Sequence, residues 1–372
     1  MLRRAALLAL RAMGRVEPNP MVGCIITDEA GDVMGMGHHR VFGGPHAEVE
    51  ALADCARRGR DPRGATVYVT LEPCKHQGKT PPCTDALIRA KVARVVVGRR
   101  DPNRLAAGGA QVLTRAGIRV DFADGGPLVA RPAAPFERSV NGGPPWIIAK
   151  WAQTIDGKVA ARTGDSKWIS CEASRRLVHR LRGRVDAIVT GVGTVRADDP
   201  MLTARGVPVR RVARRVVIDS AATLPLTSAL VRTARETPLV VCTAELSGAA
   251  ADRASELQRA GALVIQTPGG PRVNVRAALT VLSQHFGVTT ALVEAGPVLL
   301  GSLLSEQLVD EALVFVAPRV LGDDQAPGAA MIGPTYSVRG GAGLVLRHVT
   351  RRGPDALLLY ARGGAPENGT VS

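Results

Sequence analysis

Three potential metal ligands lie far apart in this sequence, and only a fold that brings them together can use them. They are His46, Cys74 and Cys83, found in Pro45-His46-Ala47-Glu48, Glu72-Pro73-Cys74 and Pro81-Pro82-Cys83. One imidazole and two thiolates are typical of zinc, and three protein ligands leave a fourth position for water. Glu48 then remains available for proton transfer. The pattern predicts a catalytic zinc site; the alternative is a buried histidine with two structural thiols.

The same residues fit the general pattern of zinc-dependent nucleobase deaminases. That pattern has a His-x-Glu segment, a later Pro-Cys segment with a second cysteine, and a glutamate that transfers protons without binding the metal. Deaminases of free nucleosides or RNA usually have two residues between the cysteines, whereas Lys75 to Pro82 intervene here. The insert contains two lysines, a histidine and a threonine, which suit an anion. A phosphorylated small substrate is therefore expected, with a solvated loop as the alternative for Lys75 and Lys79.

The composition predicts a globular protein without a nucleic-acid partner. The 372 residues suffice for two domains, and 45% apolar with 22% charged residues is a globular balance. A charge of +15 could indicate a nucleic-acid surface, but the arginines are spread along the chain and aromatics make up only 3%. We interpret the arginines mainly as solvated, with a few binding the phosphates of small ligands.

Cysteine usage and the amino terminus bear on the compartment. The six cysteines, at 24, 55, 74, 83, 171 and 242, show no disulfide spacing, which favours a reducing cytoplasm. Residues 1–10 are too short for a signal peptide or a membrane span, so no membrane partner is expected. We also expect a homo-oligomer, although the sequence does not indicate its size.

The first half of the chain alternates strands with helices. The pattern after His46 predicts a helix with apolar residues at 49, 52 and 53, and another helix begins at Cys83. Both metal-binding segments would thus lie at helix amino termini, which favour thiolate over thiol. The remaining predicted elements are a helix over 2–13, a hairpin of strands 22–27 and 33–37, strands 66–71, 92–98 and 118–122, and a helix over 106–116.

Glycine and proline are concentrated between residues 124 and 145, which predicts a linker between two domains, with Phe136 and Val140 as candidates for a short helix inside it. The second half then repeats the alternation, so the predicted class is α/β throughout. We predict domains over 1–123 and 146–362 and a disordered tail over 363–372. The second domain is predicted to contain strands 146–152, 185–190, 214–219, 238–242, 262–265, 290–294, 312–316 and 357–360 and helices 171–182, 249–260, 274–286 and 297–305.

Two strand-to-helix turns in the second half suit a phosphate-bearing cofactor. Gly296 follows Glu294-Ala295 and opens a helix, and Gly191-Val192-Gly193-Thr194 makes a similar crossing. Neither is a G-x-G-x-x-G fingerprint, so a Rossmann domain is not supported. Each turn taken alone is more often a plain connection.

These motifs together resemble one family, the bifunctional pyrimidine deaminases/reductases of riboflavin biosynthesis. Its deaminase half is similar in Pro18-Asn19-Pro20, Gly44-Pro45-His46-Ala47-Glu48, Thr70-Leu71-Glu72-Pro73-Cys74, Gly78-Lys79-Thr80-Pro81-Pro82-Cys83 and Asp101-Pro102-Asn103. Its reductase half is similar in Thr154-Ile155-Asp156-Gly157-Lys158, Gly164-Asp165-Ser166-Lys167-Trp168, Asp198-Asp199-Pro200, Val217-Ile218-Asp219-Ser220 and Glu294-Ala295-Gly296-Pro297. The resemblance covers nearly the whole chain.

The resemblance implies a cytidine-deaminase-like zinc domain followed by a dihydrofolate-reductase-like domain that binds NADPH. It also implies deamination of a phosphorylated diaminopyrimidine, followed by reduction of its ribosyl chain. One Zn²⁺ would be held by His46, Cys74 and Cys83, with Glu48 as proton carrier. The first substrate would meet Asn19, His76, Lys79, Thr80 and Asn103. NADPH would meet Ala152, Trp168, Thr194, Asp198, Ser220 and Gly296, and the second substrate would meet Lys150, Ser166, Arg182, Leu202, Arg205 and Glu294.

Three positions depart from the family pattern without removing a metal ligand. Lys75 replaces a usual serine, Arg104 a usual proline, and Ala106-Ala107-Gly108-Gly109 lacks a usual arginine. Two other functions remain open at this point. One is a nucleic-acid-binding protein whose zinc domain edits RNA, and the other is an enzyme that keeps only the reductase activity.

Overall fold

The computed structural model describes residues 1–334 and 341–363, which form two compact units. The first unit is Met1–Gly143 and the second begins at Pro144. Both alternate strands with helices, which confirms the predicted α/β class. The predicted tail falls almost entirely outside the described residues. No described helix combines the length and the apolar content needed to cross a bilayer.

The first unit is built on a mixed sheet in the order β2-β1-β3-β4-β5. Strand β1 is antiparallel to β2 and β3, whereas β3, β4 and β5 are parallel. The parallel strands bring the segments after β3 and β4 to one edge of the sheet. The strands are β1 (Gly23–Thr27), β2 (Val33–His38), β3 (Thr66–Val69), β4 (Arg94–Val97) and β5 (Arg119–Phe122), and the helices are α1 (Leu2–Ala9), α2 (Ala47–Arg57), α3 (Cys83–Arg89) and α4 (Gly109–Arg115).

Helix α2 packs on the sheet through small residues. The apolar residues at 49, 52 and 53 suggested one buried face, but α2 instead buries Ala47, Glu48, Ala51 and Cys55. A Cβ on Gly35 or Gly37 of β2 would lie 2.5 or 2.4 Å from backbone atoms of Ala51. The helix can therefore approach the strand this closely only because both sides are small, and this approach carries Glu48 into the interior.

The segment predicted as a linker forms helices in the structure. Helices α5 (Pro127–Ala130) and α6 (Ala134–Val140) belong to the first unit. Val129 is 1% exposed and packs in a cluster with Leu2, Ala6 and Val96. Glycine and proline therefore mark the turns around these helices, and one apolar side chain is enough to hold them on the unit.

The second unit contains a nine-stranded sheet among the residues described. The order is β10-β9-β8-β7-β11-β6-β12-β14-β13, parallel from β10 to β12 and antiparallel beyond. The strands are β6 (Trp146–Thr154), β7 (Ala187–Gly191), β8 (Arg214–Ile218), β9 (Leu239–Thr243), β10 (Leu263–Gln266), β11 (Thr290–Val293), β12 (Glu311–Ala317), β13 (Leu344–Arg352) and β14 (Asp355–Arg362).

Helices connect these parallel strands, and central strands β9 and β11 are buried throughout. Outer strand β13 was not predicted because its side chains are mostly exposed and its apolar residues do not alternate. The helices are α7 (Glu172–Arg182), α8 (Val192–Asp198), α9 (Ala229–Arg232), α10 (Ala249–Arg259), α11 (Val275–Phe286) and α12 (Pro297–Ser305). The carboxyl ends of β7, β8, β9 and β11 lie along one edge, where open α/β sheets bind ligands.

Candidate active sites

The three predicted metal ligands meet in the first unit. His46 is the residue that precedes α2, Cys83 is the first residue of α3, and Cys74 lies in the loop after β3. His46 Nδ1 lies 3.2 Å from the Sγ of Cys83 and 3.6 Å from the Sγ of Cys74. The three ligand atoms all lie within 4.8 Å of one another. This convergence of one nitrogen and two sulfurs fits zinc.

Glu48 is buried beside the three ligands, with 3% of its surface exposed. Burial raises the pKa of its carboxyl to about 7, and His46 opposes that shift. Its side chain interacts with the Cys83 thiol. Glu48 can therefore carry a proton near neutral pH, which is what a general acid and base requires.

The Cys74 and Cys83 thiols affect each other's ionisation. A hydrogen bond from Cys83 and the neighbourhood of His46 lower the pKa of Cys74 to about 4, despite burial. The same pairing and burial raise the pKa of Cys83. A bound metal would take both sulfurs as thiolates.

Glu72 holds the loop that borders this site. One of its carboxylate oxygens accepts hydrogen bonds from the backbone nitrogens of Gly108 and Ala110, at 3.2 and 3.0 Å. The other accepts from Asp101, at 3.2 Å. Burial raises the pKa of the neighbouring Asp101 carboxyl to about 6, and Glu72 and Cys74 add to the shift. Glu72 is therefore an anchor for residues 101–110 and has no place among the metal ligands.

The five predicted substrate contacts of the first unit have different surroundings. Thr80 Oγ1 lies 3.5 Å from His46 Nε2, and the Nδ1 of His76 is buried with no partner in the described chain. Lys79 lies over the Phe42 ring at 3.9 Å. Asn103 accepts a hydrogen bond from Leu105 and so shapes its own loop. Asn19 contacts His39, at 3.4 Å.

A charged cluster marks the edge of the sheet in the second unit. Arg182, at the end of α7, donates to both oxygens of Glu294, which follows β11. Burial lowers the pKa of Lys150 while Glu294 opposes the shift. Burial alone would raise the pKa of Glu294, but Arg182 and Lys150 hold it below its ordinary value. The Arg182–Glu294 ion pair, at the ends of α7 and β11, and the nearby Lys150 on β6 thus form a charged site.

Several polar groups suit a dinucleotide at the same edge. Thr194 accepts a hydrogen bond from the backbone nitrogen of Gly296, at 3.1 Å, which fixes the start of α12. Ser220 accepts one from Val273, also at 3.1 Å. The Oγ1 of Thr243, at the end of β9, is buried without a partner in the described ranges. A buried hydroxyl without a protein partner can hydrogen-bond to a bound ligand.

The remaining predicted contacts of the second unit are spread along its loops. Trp168 is 64% exposed and carries the Arg175 guanidinium over its ring, at 4.6 Å. Asp198 pairs with Lys167, at 3.6 Å. Ala152 lies on β6, Ser166 accepts a backbone hydrogen bond from Ile169, Leu202 is 3% exposed, and the Arg205 backbone nitrogen donates to His179 Nδ1.

Four polar residues close to these sites were not predicted. Glu72 and Asp101 belong to quoted motifs, but no spacing reveals that one holds the backbone near the other. His39 and His179 lie outside every quoted motif. Only the structure shows that His39 contacts His46 and that His179 accepts a hydrogen bond from Arg205.

Two family models match the chain. The model described as "Cytidine and deoxycytidylate deaminase zinc-binding region" matches residues 1–99, and "RibD C-terminal domain" matches residues 145–358. The predicted order of a deaminase-type zinc domain and a reductase-type domain is thereby confirmed.

Relatives and solved structures match over nearly the full length. Riboflavin biosynthesis protein RibD of Aquifex aeolicus is 37% identical, with 97% of each chain covered. That of Escherichia coli is 36% identical, covering 95% of this chain and 96% of its own. RibD of Acinetobacter baumannii, form 1, has a TM-score of 0.77 at 34% identity and 98% coverage of both chains. A Thermotoga maritima structure titled diaminohydroxyphosphoribosylaminopyrimidine deaminase/5-amino-6-(5-phosphoribosylamino)uracil reductase has a TM-score of 0.78 at 30% identity and 97% coverage of both.

Proposed function

Because this chain belongs to the RibD family of bifunctional deaminases/reductases in riboflavin biosynthesis, we propose which of its residues perform each reaction. The cofactors are zinc for the deaminase and NADPH for the reductase. The substrate is 2,5-diamino-6-ribosylamino-4(3H)-pyrimidinone 5′-phosphate. Deamination removes its 2-amino group, and reduction then converts its ribosyl chain to ribityl.

The deaminase is assigned to the first unit, with its core in residues 1–123. His46, Cys74 and Cys83 would hold zinc, which supplies a Lewis acid that makes water nucleophilic at neutral pH. Glu48 takes a proton from the attacking water and delivers it to the departing amine. The single observation that carries this assignment is the convergence of the three ligand atoms within 4.8 Å beside buried Glu48.

The substrate of the deaminase is assigned to residues around this centre. Thr80 and His76 support the assignment best, because one lies 3.5 Å from His46 and the other has a buried, unpartnered nitrogen among the described residues. Lys79 would supply a cation for the phosphate. Asn19 and Asn103 complete the proposed set.

The reductase is assigned to residues 146–362. NADPH supplies the hydride and would meet the residues named above along the carboxyl edge, where the Thr194–Gly296 hydrogen bond and the unpaired Thr243 hydroxyl support binding of a cofactor. Lys150 and Glu294 would orient the base and sugar. Arg205, exposed and without an acidic partner in the described chain, would hold the phosphate.

The setting of the enzyme is also a proposal. Six free thiols support a reducing cytoplasm. Exposed Val345, Leu346 and Val349 on outer strand β13 support a homo-oligomer, because no described strand pairs with the outer edge of β13 and a second copy can do so. Light scattering after size exclusion tests the second point, and a single-chain mass would contradict it.

A coupled assay tests both activities. The full chain receives the phosphorylated diaminopyrimidinone, and ammonia release and loss of NADPH absorbance are followed separately. Ammonia should appear without NADPH, and NADPH should be consumed only after deamination. NADPH consumption without ammonia would contradict the deaminase assignment, and ammonia without NADPH consumption would contradict the reductase assignment.

A further inference from the structure

His39 is a buried histidine next to the zinc ligands for which neither the motifs nor the proposed function gives a role. It follows β2 directly and is 2% exposed. Its ring meets the His46 ring edge to face, with the centroids 5.2 Å apart and the planes at 79°. Its backbone nitrogen donates to the Val22 carbonyl, at 3.0 Å, which fixes the residue on the sheet. The ring is therefore held at one orientation beside the metal site.

Both ring nitrogens of His39 have polar neighbours. Nδ1 lies 3.0 Å from the carbonyl oxygen of Pro45, and Nε2 lies 3.4 Å from the Nδ2 of Asn19. A carbonyl oxygen can only accept, so Nδ1 carries the hydrogen. The nitrogen of an amide can only donate, so Nε2 accepts the hydrogen bond from the Asn19 amide through its lone pair.

This arrangement fixes the direction of the Asn19 amide. The amide nitrogen of Asn19 faces His39, so the amide oxygen points away from His39. No described residue donates a hydrogen bond to that oxygen. An amide oxygen accepts hydrogen bonds from N–H groups. A pyrimidine that carries amino groups and a ring N–H offers such donors. If the Asn19 amide were flipped, its NH₂ group would face these donors and could not accept from them.

We propose that His39 is a positioning residue of the deaminase: it holds the Asn19 amide with its oxygen available to accept from the N–H groups of the pyrimidine. Through the Pro45 carbonyl it links this orientation to His46, the next residue and a zinc ligand. The inference rests on the proposed function, because it takes Asn19 as a substrate contact. His39 itself need not touch the substrate.

A double-mutant cycle on the full-length zinc enzyme tests the proposal. His39→Phe keeps an aromatic ring against His46 and removes both hydrogen bonds, while Asn19→Ala removes the oriented amide. We expect each single variant to keep its zinc and its reductase rate and to lose about 3- to 10-fold in deaminase kcat/KM, mainly through KM. The double variant should be no slower than Asn19→Ala, because His39 acts through Asn19.

His38→Phe is the matched control, because it makes the same change one position earlier in a half-buried side chain. It should leave the deaminase KM unchanged. Additive losses in the double variant would overturn the proposal while leaving Asn19 as a substrate contact. Loss of zinc in His39→Phe would overturn it in favour of a role in holding the metal. A normal rate in Asn19→Ala would remove Asn19 from the proposed function, and the inference with it. Absence of deamination in the parent enzyme would instead contradict the proposed function.

Discussion

Arg182 and Glu294 form a two-pronged ion pair, with Nε 2.6 Å from Oε1 and a terminal nitrogen 2.9 Å from Oε2. The side chains are only 14% and 11% exposed. The family resemblance implied that both Arg182 and Arg205 meet the second substrate, which carries a phosphate. The pair already neutralises Arg182, whereas the guanidinium of Arg205 donates only to Thr203 Oγ1, at 3.5 Å, among the described residues. Arg205 is therefore the better anchor for an anion.

Arg205→Ala should slow the reductase on the phosphorylated substrate by about 10- to 150-fold in kcat/KM, because hydrogen bonds to charged groups contribute about 1.5 to 3 kcal/mol each. The loss should disappear on the dephosphorylated substrate, for which parent and variant should be equally fast. Steady-state NADPH oxidation on both substrates measures this difference. Exposed Arg180 on α7 gives a control, and Arg180→Ala should behave like the parent. A normal rate for Arg205→Ala on the phosphorylated substrate would show that Arg205 is a solvated surface residue that does not bind the phosphate.

The stability of the second unit should depend on the ionisation of Glu294. The folded-state pKa of Glu294 lies below its ordinary value, so its contribution is fully present above the unfolded-state pKa and is lost as pH falls through the folded-state pKa. Glu294→Gln lacks this contribution at every pH. The difference in unfolding free energy between parent and variant, measured by urea denaturation, should therefore shrink on acidification. A difference that stays constant down to acid pH would show that the pair contributes nothing through ionisation.

Cys83→Ser should lose most of the zinc, because it replaces one of the three proposed protein ligands with a weaker one. The parent should contain about one zinc per chain. Metal analysis of dialysed protein measures both values. Cys242→Ser, which changes a buried thiol in the other unit, should keep its zinc. Full retention of zinc by Cys83→Ser would remove Cys83 from the site.

Glu48→Gln should keep zinc and stop deamination, because an amide cannot transfer the proton. General acid and base groups contribute about 10²- to 10⁴-fold, which sets the expected loss in kcat. Ammonia release, zinc content and NADPH oxidation on pre-deaminated substrate should be measured together, with the last two unchanged. Deamination at the parent rate would mean that another group carries the proton.

The first unit should need residues beyond 123 to fold stably. A fragment 1–143 retains Val129, which packs with Leu2, Ala6 and Val96, whereas a fragment 1–123 exposes that cluster. Removing a buried valine and its contacts costs about 1.5 to 3 kcal/mol. Thermal unfolding should therefore give a lower midpoint for the shorter fragment. Equal unfolding midpoints for the two fragments would show that residues 124–143 act as a linker and do not stabilise the first unit.

The sequence was most informative where chemistry restricts residue type. His46, Glu48, Cys74 and Cys83 could be found because few residue sets bind zinc and leave a carboxylate spare. Most strands and helices followed from periodicity, since buried strands such as β9 and β11 are continuous apolar runs. The buried face of α2 was predicted wrongly, because its packing depends on Gly35 and Gly37 in strand β2. The periodicity of the helix sequence contains no information about these glycines.

Other features depend on contacts between residues far apart in the sequence and so cannot be predicted from local patterns. Arg182 and Glu294 are 112 positions apart, and nothing local indicates that they neutralise each other. The proline-rich segment after residue 124 looked like a linker because one buried valine is a weak signal. His39 has no motif of its own, and its position only becomes meaningful once the Pro45 carbonyl and Asn19 are seen on either side of it.

The carboxylate of Glu72 has a consequence for how this enzyme can vary. It holds residues 101–110 by accepting hydrogen bonds from three backbone nitrogens, those of Asp101, Gly108 and Ala110. Hydrogen bonds to the main chain do not depend on the side chains, so an exposed position such as Arg104 can exchange its residue without loss of the loop's shape, whereas a Cβ on Gly109 would collide with the Pro73 carbonyl oxygen. Substitutions at the exposed positions of this loop can therefore change its surface one at a time without displacing the backbone that borders the proposed metal ligands.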